Sequence, residues 1–229
     1  MTVRRHTDLP AIARAMADEL PGIVQRSLAE TSSCHLVLSG GNTPRALYRE
    51  LVARGRAFLP WDQIDLWWGD ERCVPPDHPE SNFGMTKAEL IKPLDLDSSL
   101  WHRMKGEEEP AAAAQSYEEH IQGCLGSRPV FSVVLLGIGN DGHTASLFPG
   151  EPLDPDRLVI ASKAPSGQPR ISLTPKVINA ARHVRFLVSG AEKAGVLAAI
   201  VNQTTDVPAA SIQNPDLAWL VDEAAAKSL

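Results

Sequence analysis

The residues of this chain best suited to chemistry lie in glycine-bearing turns. The stretch Gly137-Ile138-Gly139-Asn140-Asp141-Gly142-His143 sets an acid and an imidazole two residues apart, directly after the apolar run Phe131 to Leu136. A free imidazole has a pKa of about 6.5, so at neutral pH His143 can take a proton from water, with Asp141 orienting the ring or stabilising the imidazolium. Glycine on both sides leaves room for a ligand to approach closely.

Two further turns follow apolar runs. Ser39-Gly40-Gly41-Asn42-Thr43-Pro44 comes after His35 to Leu38 and before the helix-like Arg45 to Arg54. Small residues there let successive backbone N–H groups cradle an anion at a helix N-terminus, with the Thr43 hydroxyl as an added donor. The turn is neither a P-loop nor a dinucleotide fingerprint, and a plain tight turn with Thr43 as N-cap is the competing reading. Gly69-Asp70-Glu71-Arg72 follows Ile64 to Trp68, and Arg72 could grip a phosphate in bidentate fashion or be held by Asp70 and Glu71 in a salt bridge. Arg170 and Lys193 are further cations, each of which alone would read as a solvated surface charge.

These turns need a frame. Thr2 to His6 reads as a short strand, and Asp8 to Ala29 as a helix capped by Thr7 or Asp8 and interrupted at Pro21-Gly22. Helical spacing also covers Asn82 to Ile91, Pro110 to Leu125, Pro175 to Ala181 and Glu192 to Ile200, while Arg157 to Ser162 and Val184 to Val188 read as strands. Lys105 to Ala114 reads as a helix entry, and Pro149 to Arg157 as an exposed connection. Alternating strands and helices predict an α/β fold: one domain over residues 1–229, with a Rossmann-like, open, mostly parallel sheet and helices on both faces.

The 229 residues, 43% hydrophobic and 22% charged, suit one globular core. A formal net charge of −6 argues against a general attraction to nucleic acid or to an anionic membrane, so any anion site must be local. Cys34, Cys73 and Cys124 are an odd, widely spaced set, resembling neither a disulfide framework nor the paired spacing of a zinc site. No apolar run reaches the roughly 20 residues of a spanning helix, and Met1 to Pro10 lacks the apolar middle of a signal peptide. A soluble cytoplasmic monomer needing neither metal nor cofactor is the expectation.

Taken together, the three turns and Trp68-Gly69-Asp70-Glu71-Arg72-Cys73-Val74-Pro75, Ser81-Asn82 and Gly137 to Gly150 resemble the 6-phosphogluconolactonases, a likeness spanning nearly the whole chain. The resemblance implies that Gly40, Gly41, Thr43, Arg72, Arg170 and Lys193 bind the sugar phosphate and that His143, helped by Asp141, acts as base. It extends more weakly to the glucosamine-6-phosphate deaminases and isomerases. Those continue past the histidine through an Ala-Phe-Asn-Glu-Pro pattern, where this chain has Ala145-Ser146-Leu147-Phe148-Pro149, so Phe148 stands in place of the relative's glutamate. Without that carboxylate for ring opening and proton movement, hydrolysis is favoured. A non-catalytic sugar-phosphate sensor is a further alternative, and a serine hydrolase is disfavoured because no Gly-x-Ser-x-Gly elbow is present.

Overall fold

The computed structural model describes residues 2–229. Ten strands enter two sheets: β1 Thr2–His6, β2 Cys34–Leu38, β3 Ile64–Trp68, β4 Asp70–Arg72, β5 Trp101–His102, β6 Val133–Leu136, β7 Val159–Lys163, β8 Pro169–Leu173, β9 His183–Val188 and β10 Leu217–Asp222. The α-helices are α1 Leu9–Glu30, α2 Asn42–Arg54, α3 Asn82–Thr86, α4 Pro110–Leu125, α5 Pro175–Asn179 and α6 Ala194–Val201. Seven strands form one parallel sheet in the order β1-β10-β9-β6-β2-β3-β5.

Because strand side chains alternate between faces, a sheet covered on both sides needs apolar residues at every position. Strand β6 shows this: Val133 and Leu135 enter one cluster with Ile12, Met16 and Leu20 of α1 and Leu47 of α2, while Val134 and Leu136 enter the other with Tyr117 and Ile121 of α4 and Leu197 of α6. The second face also receives Ile171 and Leu173 of β8, in a three-stranded antiparallel sheet ordered β4-β8-β7. The sequence reading left this small sheet out: the presumed loop Asp70 to Arg72 is a strand paired with β8.

Asp8 caps α1, accepting from the Ala11 N–H at 2.8 Å. The expected interruption at Pro21 does not occur, and α1 runs unbroken for 22 residues. Buried Met16, Ala17 and Leu20 before the proline and Ile23 and Val24 after it hold the helix to the sheet, against an interior-proline cost of about 3 kcal/mol. Helix α4 has its expected bounds, whereas Asn82 to Ile91 divides into α3 and a π-turn over Lys87–Ile91. Pro149 to Asp156 is exposed, as a connection of that composition should be. No helix among the described residues is long and apolar enough to cross a membrane.

The strand order also locates the ligand crevice. From β2 the chain steps to β3 and then β5 on one side, whereas β6, on the other flank of β2, leads on to β9 and β10. Connections leaving the carboxyl ends of β2 and β6 therefore diverge, and such a switch point is where open α/β sheets bind ligands. The two loops that emerge there are Ser39 to Thr43 and Gly137 to His143.

Candidate active site

At that switch point lies a cleft of about 580 Å³, lined by Gly40, Gly41, Thr43, Arg72, His143, Arg170 and Lys193 among others. Seven of the eight residues singled out in the sequence thus border one cavity, and Asp141 stands just behind His143.

The His143 turn is built around close backbone approach. The Gly139 N–H donates to the His143 carbonyl at 2.8 Å, and the Gly142 N–H donates to the Gly139 carbonyl at 3.1 Å. A Cβ on Gly139 would sit 2.1 Å from His143 Nδ1, so only glycine lets the ring fold back over the turn. One Asp141 oxygen, Oδ1, accepts from the His143 backbone N–H at 3.1 Å and lies 2.6 Å from its Nδ1. Burial pushes the Asp141 carboxyl up, but the His143 amide and imidazole outweigh it and hold the group below its usual range. An ionised carboxylate can only accept, which puts the proton on Nδ1 and leaves Nε2 with its lone pair free. The imidazole is 35% exposed, and its ring centroid is 5.0 Å from that of Phe148, which also borders the cleft.

The glycine turn after β2 is held from beneath by Tyr48 of α2, which donates to the Ser39 carbonyl at 2.7 Å and accepts from its N–H at 3.1 Å. Gly41, not Thr43, occupies the cap position of α2, so the N-cap reading of Thr43 fails. Asn82 packs against the same turn and donates to the Asp70 carbonyl at 2.9 Å. A Cβ on Gly40 would lie 1.9 Å from Asn82 Oδ1. Gly40→Ala must therefore displace Asn82, and overpacking of this kind costs about 1–3 kcal/mol. The expected result is a melting temperature lower by roughly 2–4 °C per kcal/mol lost, read by calorimetry, together with a raised KM.

Three cations border the cleft. Arg72 of β4 and Arg170 of β8 are register partners across the antiparallel ladder, an arrangement in which like charges destabilise. The expected alternative, a salt bridge from Arg72 to Asp70 or Glu71, is not formed. Glu71 turns away to accept from the N–H groups of Asn82 at 2.7 Å and Phe83 at 2.8 Å and from the Ser81 hydroxyl at 3.0 Å, capping α3. Burial pushes the Glu71 carboxyl up, partly offset by those N–H groups. Arg72 reaches the Glu80 carbonyl through one terminal nitrogen. The Nε atoms of Arg72 and Arg170 are both buried without a partner. Burial, reinforced by Arg72, lowers the pKa of Arg170, as expected of a guanidinium short of an anion. Lys193 borders the same cleft, its Nζ donating to Asn140 Oδ1 at 2.6 Å.

Two residues that brace the site were not recognised as such in the sequence. Asp70 is buried and accepts from the Ser146 hydroxyl at 2.7 Å and from Asn82 Nδ2 at 3.2 Å, tying all three turns together. Asp222, ending β10, accepts from the Gly190 N–H at 3.1 Å and from the Ser189 hydroxyl, fixing the turn that leads to Lys193. The position of Asp70 at the end of an apolar run was a usable signal. Asp222 had none, because β10 itself was not foreseen.

Fold and cleft together define a class: an α/β protein with a cleft bordered by two arginines and a lysine and an oriented imidazole at the switch point of a parallel sheet. Residues 7–219 match the model of the glucosamine-6-phosphate isomerases/6-phosphogluconolactonase family. The chain is 40% identical over 217 residues to a 6-phosphogluconolactonase of Synechocystis, covering 90% of this chain and 89% of the relative. It is 38% identical over 213 residues to one of Treponema pallidum, covering 90% and 86%. The solved 6-phosphogluconolactonase of Trypanosoma cruzi superimposes with a TM-score of 0.90 at 29% identity, over 100% of this chain and 96% of that one. The chain belongs to the glucosamine-6-phosphate isomerase/6-phosphogluconolactonase family, and it is an enzyme.

Proposed function

We propose that this enzyme hydrolyses 6-phospho-D-glucono-1,5-lactone to 6-phospho-D-gluconate, acting as a monomer in the cytoplasm without metal or cofactor in the reaction. The observation that carries the reading is that the His143 imidazole opens into the same cleft as Arg72 and Arg170, whose buried Nε atoms have no partner. The names of the relatives in Synechocystis and Treponema pallidum support the choice of substrate.

The phosphate seats first against Arg72 and Arg170, with Lys193 and the Gly40-Gly41-Thr43 turn completing the clamp. That remote binding energy orients the lactone at the other end of the sugar. His143 Nε2 takes a proton from water as the oxygen adds to the lactone carbonyl. The tetrahedral intermediate collapses by breaking the bond from the carbonyl carbon to the ring oxygen, which receives the proton held on His143. Asp141 is a positioning residue: it fixes the ring tautomer and stabilises the transient imidazolium. Phe148 favours this reaction over isomerisation or deamination, since an apolar ring beside His143 cannot supply the carboxylate those reactions would draw on.

The test is a rapid assay with freshly prepared 6-phosphogluconolactone, coupled to 6-phosphogluconate oxidation and corrected for spontaneous hydrolysis. Enzyme-dependent product is expected, with far lower kcat/KM for unphosphorylated gluconolactone. A rate no greater than the spontaneous one, or release of ammonia from glucosamine 6-phosphate, would overturn the proposal.

A further inference from the structure

Away from the cleft, and sharing no residue with it, a group of metal-binding side chains gathers where α4 lies over β3 and β5. His120 and Cys124 are one helical turn apart on α4, and His102 ends β5. The ligand atoms of His102, His120 and Cys124 all lie within 4.8 Å of one another. His102 Nδ1 is 2.8 Å from His120 Nε2, and Cys124 Sγ is 3.9 Å from the same nitrogen.

The far side of His102 is already fixed as it would be in a metal ligand. Its Nε2 lies 3.1 Å from Asp65 Oδ1, and the other Asp65 oxygen lies 3.2 Å from His35 Nδ1. A carboxylate only accepts, so the His102 proton resides on Nε2 and Nδ1 presents its lone pair toward His120. This is the carboxylate–histidine arrangement that orients imidazole ligands in metal sites. Trp67 stacks on His102 at 3.9 Å with an interplanar angle of 9°, which locks the ring plane. The indole does not compete for Nδ1, since its N–H points to His35.

We propose that His102 Nδ1, His120 Nε2 and Cys124 Sγ form a surface site for a thiophilic divalent cation of the zinc class, with Asp65 positioning His102 and water as the fourth ligand. Zinc takes imidazole nitrogen at about 2.0–2.1 Å and thiolate at about 2.3 Å, so a tetrahedral ion holds two nitrogens roughly 3.3 Å apart and nitrogen and sulfur roughly 3.6 Å apart. The two imidazoles need to open by roughly half an ångström, and a rotation about χ1 brings the sulfur in. His120 and Cys124 are exposed, so both are free to make these adjustments. A bound ion would tie the C-terminal turn of α4 to the edge strand β5. The cysteine spacing gave no sign of this site, because two of its three ligands come from the helix and the third from a strand placed beside it only by folding.

The proposal is tested by titrating untagged, metal-free, full-length protein with Co²⁺ and then Zn²⁺. The expected result is a thiolate-to-cobalt charge-transfer band with intense tetrahedral d–d absorption, saturating at one Co²⁺ per chain and displaced by Zn²⁺. Cys124→Ser removes the charge-transfer band, Cys73→Ser keeps it, and Asp65→Asn weakens Co²⁺ affinity about 10–100-fold. Cys124→Ser leaves lactone hydrolysis unchanged. The site is overturned if folded wild-type protein shows no charge-transfer band, if only weak octahedral bands develop, or if Cys124→Ser gives the same spectrum as the wild type.

Discussion

In the coupled lactone assay, His143→Ala protein turns over about 10²–10⁴-fold more slowly than wild type, which is the usual worth of a positioned general base. The loss falls on kcat. Binding of 6-phosphogluconate, followed by calorimetry, is expected to stay within a few-fold, because Arg72, Arg170 and Lys193 reach the cleft from β4, β8 and the turn after β9 and none bonds to the imidazole. Stability should change little, since the ring is 35% exposed and its one side-chain partner is Asp141. Wild-type turnover in folded His143→Ala protein would remove the imidazole from the mechanism, and a loss confined to KM would make it a binding group instead.

How far these assignments could be read before folding depends on whether each signal was local. His143, Asp141 and the glycines around them are neighbours in sequence, and glycine beside a chemically competent residue marks a ligand approach in one dimension as well as in three. The parallel sheet was legible for the same reason, since runs such as Val133 to Leu136 are apolar at every position only when both faces are covered. What escaped was non-local. Strand β8, Pro169–Leu173, mixes exposed and buried residues, and its identity as a strand comes from pairing with β4 and β7. Strand β10 is buried at every position, yet Leu217 to Asp222 has no glycine turn before it and reads equally as helix. Because β4 and β8 were not seen as partners, the residues themselves offered Arg72 and Arg170 only one at a time, each with a structural reading ahead of the phosphate one, and only the family resemblance joined them. Pro21 misled in the opposite sense: a local breaker was outweighed by apolar contacts on both sides of it.

The pairing of those two arginines makes the second large effect the sharper test. A hydrogen bond to a charged group is worth roughly 1.5–3 kcal/mol, so Arg170→Ala or Arg72→Ala should raise KM for 6-phosphogluconolactone about 10–150-fold. Some of the loss should pass into kcat, because a substrate no longer anchored by its phosphate spends less time aligned with His143. The double variant should fall short of the product of the two single effects, since in the proposed clamp both side chains address one phosphate and removing either loosens the other's contact. Unphosphorylated gluconolactone supplies the control: its kcat/KM should be nearly the same in wild type and variants, so the preference for phosphate collapses while the chemistry persists. Thermal melting then separates ligand binding from architecture. Arg170 faces Arg72 in register, its Nε is buried without a partner, and burial already depresses its pKa. Relieving that opposition should leave the melting temperature unchanged or slightly raised, the signature of a residue held at a cost for function. If Arg170→Ala instead melts several degrees lower with KM unchanged, the guanidinium is a structural strut and the phosphate must bind elsewhere.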